Sequence, residues 1–195
     1  MALEIKNLSK TFGDKVILND FSYSFPDTGA FVIFGDSGIG KTTLLRMISG
    51  LDKDYSGKII GNPVSEISMS FQEYRLFPNL TALENITELS FANASEENIN
   101  FAMRMLRRLN FSDGDMNLYP DELSGGMKQR VSFVRAVCKR SNILLLDEAT
   151  KELDKELSDA VLEIIKEESK KRLVILVTHN ENDIMHLGAR VVKIQ

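Results

Sequence analysis

Apolar and polar positions along the 195-residue chain change their spacing several times, and each change marks an element. Residues 2–6 and 16–25 alternate or cluster apolar side chains as short strands do, with Gly13-Asp14 as the turn between them. Ala30-Phe31-Val32-Ile33-Phe34 is an unbroken apolar run, which predicts a buried strand. The amphipathic run Leu44-Leu45-Arg46-Met47-Ile48 predicts a helix over about 41–50. Gly50 and Gly57 punctuate a turn region, and Ile67 to Phe71 reads as another strand.

Beyond residue 73 the pattern becomes helical. Thr81-Ala82-Leu83-Glu84 is a capping-box start, and Ser95 opens a helix whose apolar face is Ile99, Ala102, Met103, Leu106 and Leu109. Arg104, Arg107 and Arg108 lie off that face, as a solvated helix side does; an anion site is the alternative reading. A polar loop over 111–122 and a helix over about 126–140 follow. Strands at 142–147, 173–178 and 190–194 then alternate with helices near 155–171 and 181–187. Fully apolar strands separated by amphipathic helices predict an α/β fold with a parallel sheet covered on both faces. The expected organisation is a single domain over 1–195, with an N-terminal antiparallel β region and a helical insertion near 73–140.

The segment joining the apolar run at 30–34 to the helix after it reads Gly35-Asp36-Ser37-Gly38-Ile39-Gly40-Lys41-Thr42-Thr43. It fits the phosphate-binding pattern G-x-x-x-x-G-K-[ST] in the strand–loop–helix setting that pattern requires. Glycines at 35, 38 and 40 let the backbone turn its N–H groups inward, and the helix adds the positive end of its dipole. Lys41 supplies a point charge for the β- and γ-phosphates, and the Thr42 hydroxyl is placed to ligate Mg²⁺. The strand Asn142-Ile143-Leu144-Leu145-Leu146 ends in two carboxylates, Asp147 and Glu148. Ligands in such sheets bind beyond the carboxyl ends of the strands. Asp147 is therefore assigned to the metal and Glu148 to polarising water. Leu123-Ser124-Gly125-Gly126-Met127-Lys128-Gln129-Arg130 reads equally as an anion nest ahead of a helix or as an ordinary helix start.

Composition narrows the setting. Apolar residues make up 43% and charged residues 27%, as in an ordinary globular chain, and the net charge of −4 creates no general attraction to nucleic acid or an anionic membrane. The single cysteine, Cys138, excludes an internal disulfide and reads as a core residue. Purely apolar runs reach about five residues, where a membrane-spanning helix needs about twenty. No signal-peptide apolar region opens the chain, so a cytoplasmic location is expected, with membrane work done through another subunit.

Leu-Ser-Gly-Gly-Met-Lys-Gln-Arg at 123–130 resembles the signature of ABC-type ATPases. With the loop at 35–43, Asp147-Glu148 and His179 after a strand, the chain resembles, over essentially its whole length, the nucleotide-binding subunit of an ABC transporter. The resemblance implies ATP and Mg²⁺ as cofactors and carries roles to matching positions. Phe12 takes the place of the aromatic that stacks on adenine, a core Phe being the alternative, and Val16 lines the same site. Gln72 matches the Q-loop residue that reaches Mg²⁺ and the attacking water. Ser124, Gly125, Gly126 and Met127 would meet the ATP held by an opposite protomer. Asp154 matches the D-loop aspartate, and His179 the switch histidine; His186 matches nothing. Three places depart from the family pattern: Ala149 where Pro is usual, Lys151-Glu152 where small residues are common, and Asn180 where Asp is frequent.

The implied function is ATP binding and hydrolysis that drives transport through separate membrane permease subunits, at the inner face of the cell membrane. Two ATP-binding subunits, as a homodimer, would close head to tail around two ATP molecules. No nucleic-acid partner is expected. The segment from Phe71 to Asn85 resembles importers of the nitrate, sulfonate and taurine type. An exporter subunit and a soluble non-transport ABC ATPase are the alternatives. A P-loop kinase or GTPase would lack Leu-Ser-Gly-Gly-Met.

Overall fold

The computed structural model describes residues 3–36, 38–61, 66–93 and 95–194. Strands β1 (Leu3–Phe12) and β2 (Lys15–Phe25) form a hairpin; β3 (Gly29–Phe34) leads into helix α1 (Lys41–Ile48). Strands β4 (Ser56–Ile60) and β5 (Ile67–Ser70) precede helices α2 (Glu84–Ser90), α3 (Glu96–Arg108) and α4 (Gly125–Cys138). The chain ends with β6 (Ile143–Asp147), α5 (Lys155–Ser169), β7 (Leu173–Thr178), α6 (Glu181–Leu187) and β8 (Arg190–Val192). An antiparallel sheet is ordered β2-β1-β4, and a parallel sheet β5-β6-β7-β3-β8. The α/β class expected from the pattern is the class observed.

Strand side chains alternate between faces, and here both faces are covered. Val32, Leu144, Leu146, Val174 and Leu176 join one core with residues of α2, α3, α4 and α5, including Ile86, Leu106, Phe133 and Ile165. Phe31, Ile33, Ile143, Leu145, Ile175 and Val177 point the other way, into a second core with α1 and the antiparallel sheet. That double burial is why β6 and β7 are apolar up to their last residues, Asp147 and Thr178: neither face has water to satisfy a polar side chain.

Two departures from the predicted elements have local causes. The strand at 2–6 runs on to Phe12, because register shifts between Ile5 and Leu8, Leu8 and Lys10, and Lys10 and Thr11 break the two-residue period that reveals a strand. Gly57 sits inside β4 and not in a turn, with φ +97; a Cβ there would collide with the backbone oxygens of Lys6 and Asn7 on β1. This glycine lets two strands approach, and β4 lacks an apolar signature because most of it is exposed.

The helical segment shows the expected caps. Thr81 N donates to Glu84 Oε2 at 2.8 Å and Glu84 N to Thr81 Oγ1 at 3.3 Å, the reciprocal capping box, although α2 itself begins at Glu84. Ser95 accepts from Asn98 N at the start of α3. Arg108 makes a bidentate pair with Glu167 at 2.8 Å, and Arg107 pairs with Asp113, so this face is a row of solvated ion pairs. The segment at 111–122 is more than a polar loop: Phe111 and Met116 are buried in the helical core.

Cys138, at the end of α4, is 3% exposed, and burial pushes its thiol up to about 12 against an ordinary value of about 8.5. A thiol-selective alkylating reagent at pH 8 should leave the folded chain unmodified and label it once denatured. Prompt labelling of the folded chain would contradict this packing.

Candidate active site

Parallel pairing brings the carboxyl ends of β5, β6, β7, β3 and β8 to one edge, and the register decides which residues meet there. Phe34 pairs with Thr178, Asp147 with Val177, and Ser70 with Leu146. The loops beginning at Gly35, Glu148, His179 and Phe71 therefore leave from one edge, on four adjacent strands. Residues separated by more than 140 positions in sequence become neighbours for that reason alone.

The loop after β3 carries Gly35, Asp36, Gly38, Ile39 and Gly40 into α1; Ser37 lies outside the described residues. Gly40 has φ +107, and a Cβ there would stand 2.5 Å from Ile17 Cγ2, so only glycine fits beside the antiparallel sheet. Lys41 begins α1 and is 6% exposed. Its ammonium donates to the carbonyls of Gly35 and Asp36, both at 2.7 Å, which centres a positive charge in the loop. Thr43, the next residue but one, is half-buried.

The Thr42 hydroxyl stands beside the carboxylate of Asp147. Asp147 is 3% exposed, and its Oδ1 has no hydrogen-bond partner. Burial raises its pKa above the usual aspartate value; Thr42 opposes this, the neighbouring Glu148 charge adds to it, and Arg46 and Lys41 oppose it. A buried carboxylate oxygen without a donor costs free energy unless something cationic meets it. Together with a threonine hydroxyl it is a donor set suited to Mg²⁺, which prefers oxygen ligands and takes one or two from protein and the rest from phosphate and water. Gln72 stands exposed two residues past the end of β5.

Glu148 is unusually constrained. Its φ is +52, in the left-handed region that non-glycine residues seldom occupy. Its N–H donates to Val177 O at 2.9 Å, and its carbonyl accepts from Gln129 Nε2 at 2.9 Å. One carboxylate oxygen lies 3.3 Å from His179 Nδ1 and the other 2.9 Å from Lys151 Nζ. Burial works to raise its pKa, but the Lys151 ammonium, with His179 behind it, holds the carboxyl below the usual glutamate value. His179 presents 61% of its side chain to solvent, so its ring can meet a ligand as well as Glu148.

Phe12 and Val16, at the β1–β2 turn, are 54% and 60% exposed, which removes the core reading of Phe12. The Lys10 ammonium lies 4.8 Å from the Phe12 ring centroid, itself held by Asp52 and Asp54. The ring is thus a supported surface platform of the kind on which a base stacks.

Ser124 caps α4, its Oγ accepting from Met127 N at 3.3 Å, and Gly125 and Gly126 open the helix. Added Cβ atoms at these glycines would meet Tyr74, Glu152 and Leu153. Bare N–H groups at the start of a helix suit an anion. Asp154 caps α5 by accepting from Leu157 N at 2.9 Å, so its side chain already has a structural task.

Three residues at the site were not assigned from sequence. Gln129 lay inside the quoted 123–130 motif, but nothing in spacing showed that its amide would brace Glu148. Lys151 was marked only as a departure. Asp183 gave no signal: it is fully buried and accepts 2.7 Å hydrogen bonds from Thr150 and Thr178, tying the turn after β6 to α6.

A family model described as ABC transporter matches residues 18–151. The chain belongs to the ABC transporter family. This cassette is 36% identical to the spermidine/putrescine import ATP-binding protein PotA of Chromobacterium violaceum, over 97% of the cassette and 56% of that relative. It is also 36% identical to the aliphatic sulfonates import ATP-binding protein SsuB of Bacillus cereus, over 98% of the cassette and 80% of that protein. The chain spans little more than half the length of several curated relatives it matches. Among solved structures, a dimeric ATP-binding cassette bound to ADP and Pi superimposes with a TM-score of 0.87 at 27% identity, over 99% of this chain and 94% of that one. Among the described residues no helix is long and apolar enough to cross a membrane.

Proposed function

We propose that this cassette is the ATP-binding and ATP-hydrolysing subunit of an importer, acting with separate membrane permease subunits. The observation that carries the reading is one sheet edge holding both a phosphate loop with its lysine and a constrained carboxylate–histidine pair. The loop's N–H groups and Lys41 bind the phosphates, and Phe12 and Val16 receive the base. Thr42 and Asp147, with Gln72, would hold Mg²⁺, which when bound neutralises phosphate charge. Glu148 orients the attacking water and His179 the terminal phosphate. The chemistry asks little of the protein beyond positioning and charge stabilisation.

Importer relatives named for spermidine/putrescine and for aliphatic sulfonates favour import over export. A groove of about 500 Å³ beside the loop at Phe71 supports docking to a permease: Leu51, Phe77 and Leu89 line it and are 59%, 52% and 40% exposed. Work at the cytoplasmic face of a membrane would then come through the partner.

Ser124, Gly125 and Gly126 serve the ATP of a second copy in a head-to-tail dimer. Lys41→Met and Ser124→Ala variants should each be inactive alone and should regain hydrolysis when mixed, because the mixed dimer contains one site with both groups intact. If the mixture stays as inactive as its components, the composite site is wrong.

A further inference from the structure

Lys151 and Glu152 occupy the turn between β6 and α5. Lys151 N donates to Glu148 O at 3.1 Å, closing a tight turn that folds the lysine side chain back over the glutamate. Its ammonium forms an ion pair with Glu148 Oε2 at 2.9 Å, outside hydrogen-bond geometry, and among the described residues this buried oxygen has no other donor, while His179 Nδ1 stands 3.3 Å from Oε1. The next residue, Glu152, has φ +62 and points elsewhere, with its Oε2 accepting from the Tyr74 hydroxyl at 3.4 Å. The turn is therefore tied on one side to the glutamate and on the other to the segment following β5.

We propose that Lys151 is a positioning residue for Glu148: it fixes one carboxylate oxygen so that, with His179 on the other, the group that orients water is held in a single rotamer. The inference rests on that role for Glu148. The backbone of Glu148 is already pinned through Val177 O and Gln129 Nε2. Its side-chain torsions are then the remaining freedom, and each carboxylate oxygen has one cationic or potentially cationic partner to restrict them. Beyond these two partners, Asp147 is the neighbouring charge coupled to Glu148; Lys41 and Arg46 act on Asp147, and Glu152 and Asp147 act on Lys151. Lys151 and His179 are therefore the cationic groups that face Glu148 among the described residues. The Lys151 side chain is 38% exposed, so the pair adds little to folding stability, and its effect belongs in the rate.

The test compares Lys151→Met, which keeps the stem and loses the charge, with Lys151→Arg, which keeps the charge. Each is made alone and in a Glu148→Gln background, and steady-state ATP hydrolysis and thermal melting are measured. Lys151→Met should lower kcat about 10-fold with KM for ATP and the melting temperature unchanged, since misplacing a reacting group costs rate and not binding. Lys151→Arg should restore most of the loss, and in the Glu148→Gln background Lys151→Met should cost nothing further. Unchanged or increased kcat in Lys151→Met overturns the inference, as does an equal proportional loss in both backgrounds. A Glu148→Gln chain that turns over ATP at the parental rate overturns instead the role of Glu148 on which the inference rests.

Discussion

Glu148→Gln should reduce ATP hydrolysis by about 10²–10³-fold, or ~3–4 kcal/mol of transition-state stabilisation, while ATP binding is retained. The amide keeps the shape of the carboxylate and can still face His179, but it carries no negative charge to orient and accept from water. The backbone contacts through Val177 and Gln129 do not depend on the side chain and should persist. Lys151 loses its anionic partner, yet its side chain is 38% exposed and can be hydrated, so the fold should not suffer. With hydrolysis stalled, ATP should hold two copies together. Gel filtration should then show a dimer with ATP and not with ADP. A variant that hydrolyses ATP normally would remove Glu148 from the mechanism.

Lys41→Met should weaken ATP binding by about 10²–10³-fold and abolish measurable hydrolysis. Lys41 is 6% exposed, and its ammonium donates to two carbonyls of its own loop. A charge sequestered from water in this way meets a triphosphate in a low-dielectric setting, where losing one partner of a close charge pair costs about 2–5 kcal/mol. Removing it also leaves the Gly35 and Asp36 carbonyls facing inward without a donor, which adds repulsion toward phosphate oxygens. Equilibrium titration with a fluorescent ATP analogue separates the binding loss from the rate loss. Parental affinity in Lys41→Met would place the phosphates somewhere other than this loop.

The elements with the strongest local physics were legible in sequence. The run at 30–34 and the runs entering Asp147 and Thr178 read as buried strands because both their faces are dry. The cap at Thr81–Glu84 formed because its two hydrogen bonds are purely local. The loop at 35–43 was visible because turning a backbone around phosphate demands glycines at set intervals followed by a lysine. Strand β4 and the full length of β1 were not legible. One is largely exposed and the other bulged, and in both the two-residue period is lost.

By itself, then, the sequence determined the α/β class and the identities of the groups that could bind phosphate and metal. Only the tertiary structure decided which of them act on one another. The parallel register sets Asp147 beside Val177 and Phe34 beside Thr178, and so brings the loops of four strands to one edge. The caps at Asp154 on α5 and at Asn180 on α6, accepting from Leu157 N at 2.9 Å and from Asn182 N at 3.0 Å, are local bonds that owe nothing to that register. Gln129 and Asp183 acquired their tasks from packing. A hydrogen bond from α4 to the turn after β6, or from that turn to α6, depends on how helices settle on the sheet. Side-chain spacing along a chain records the period of an element, and it carries no record of the neighbour that packing supplies.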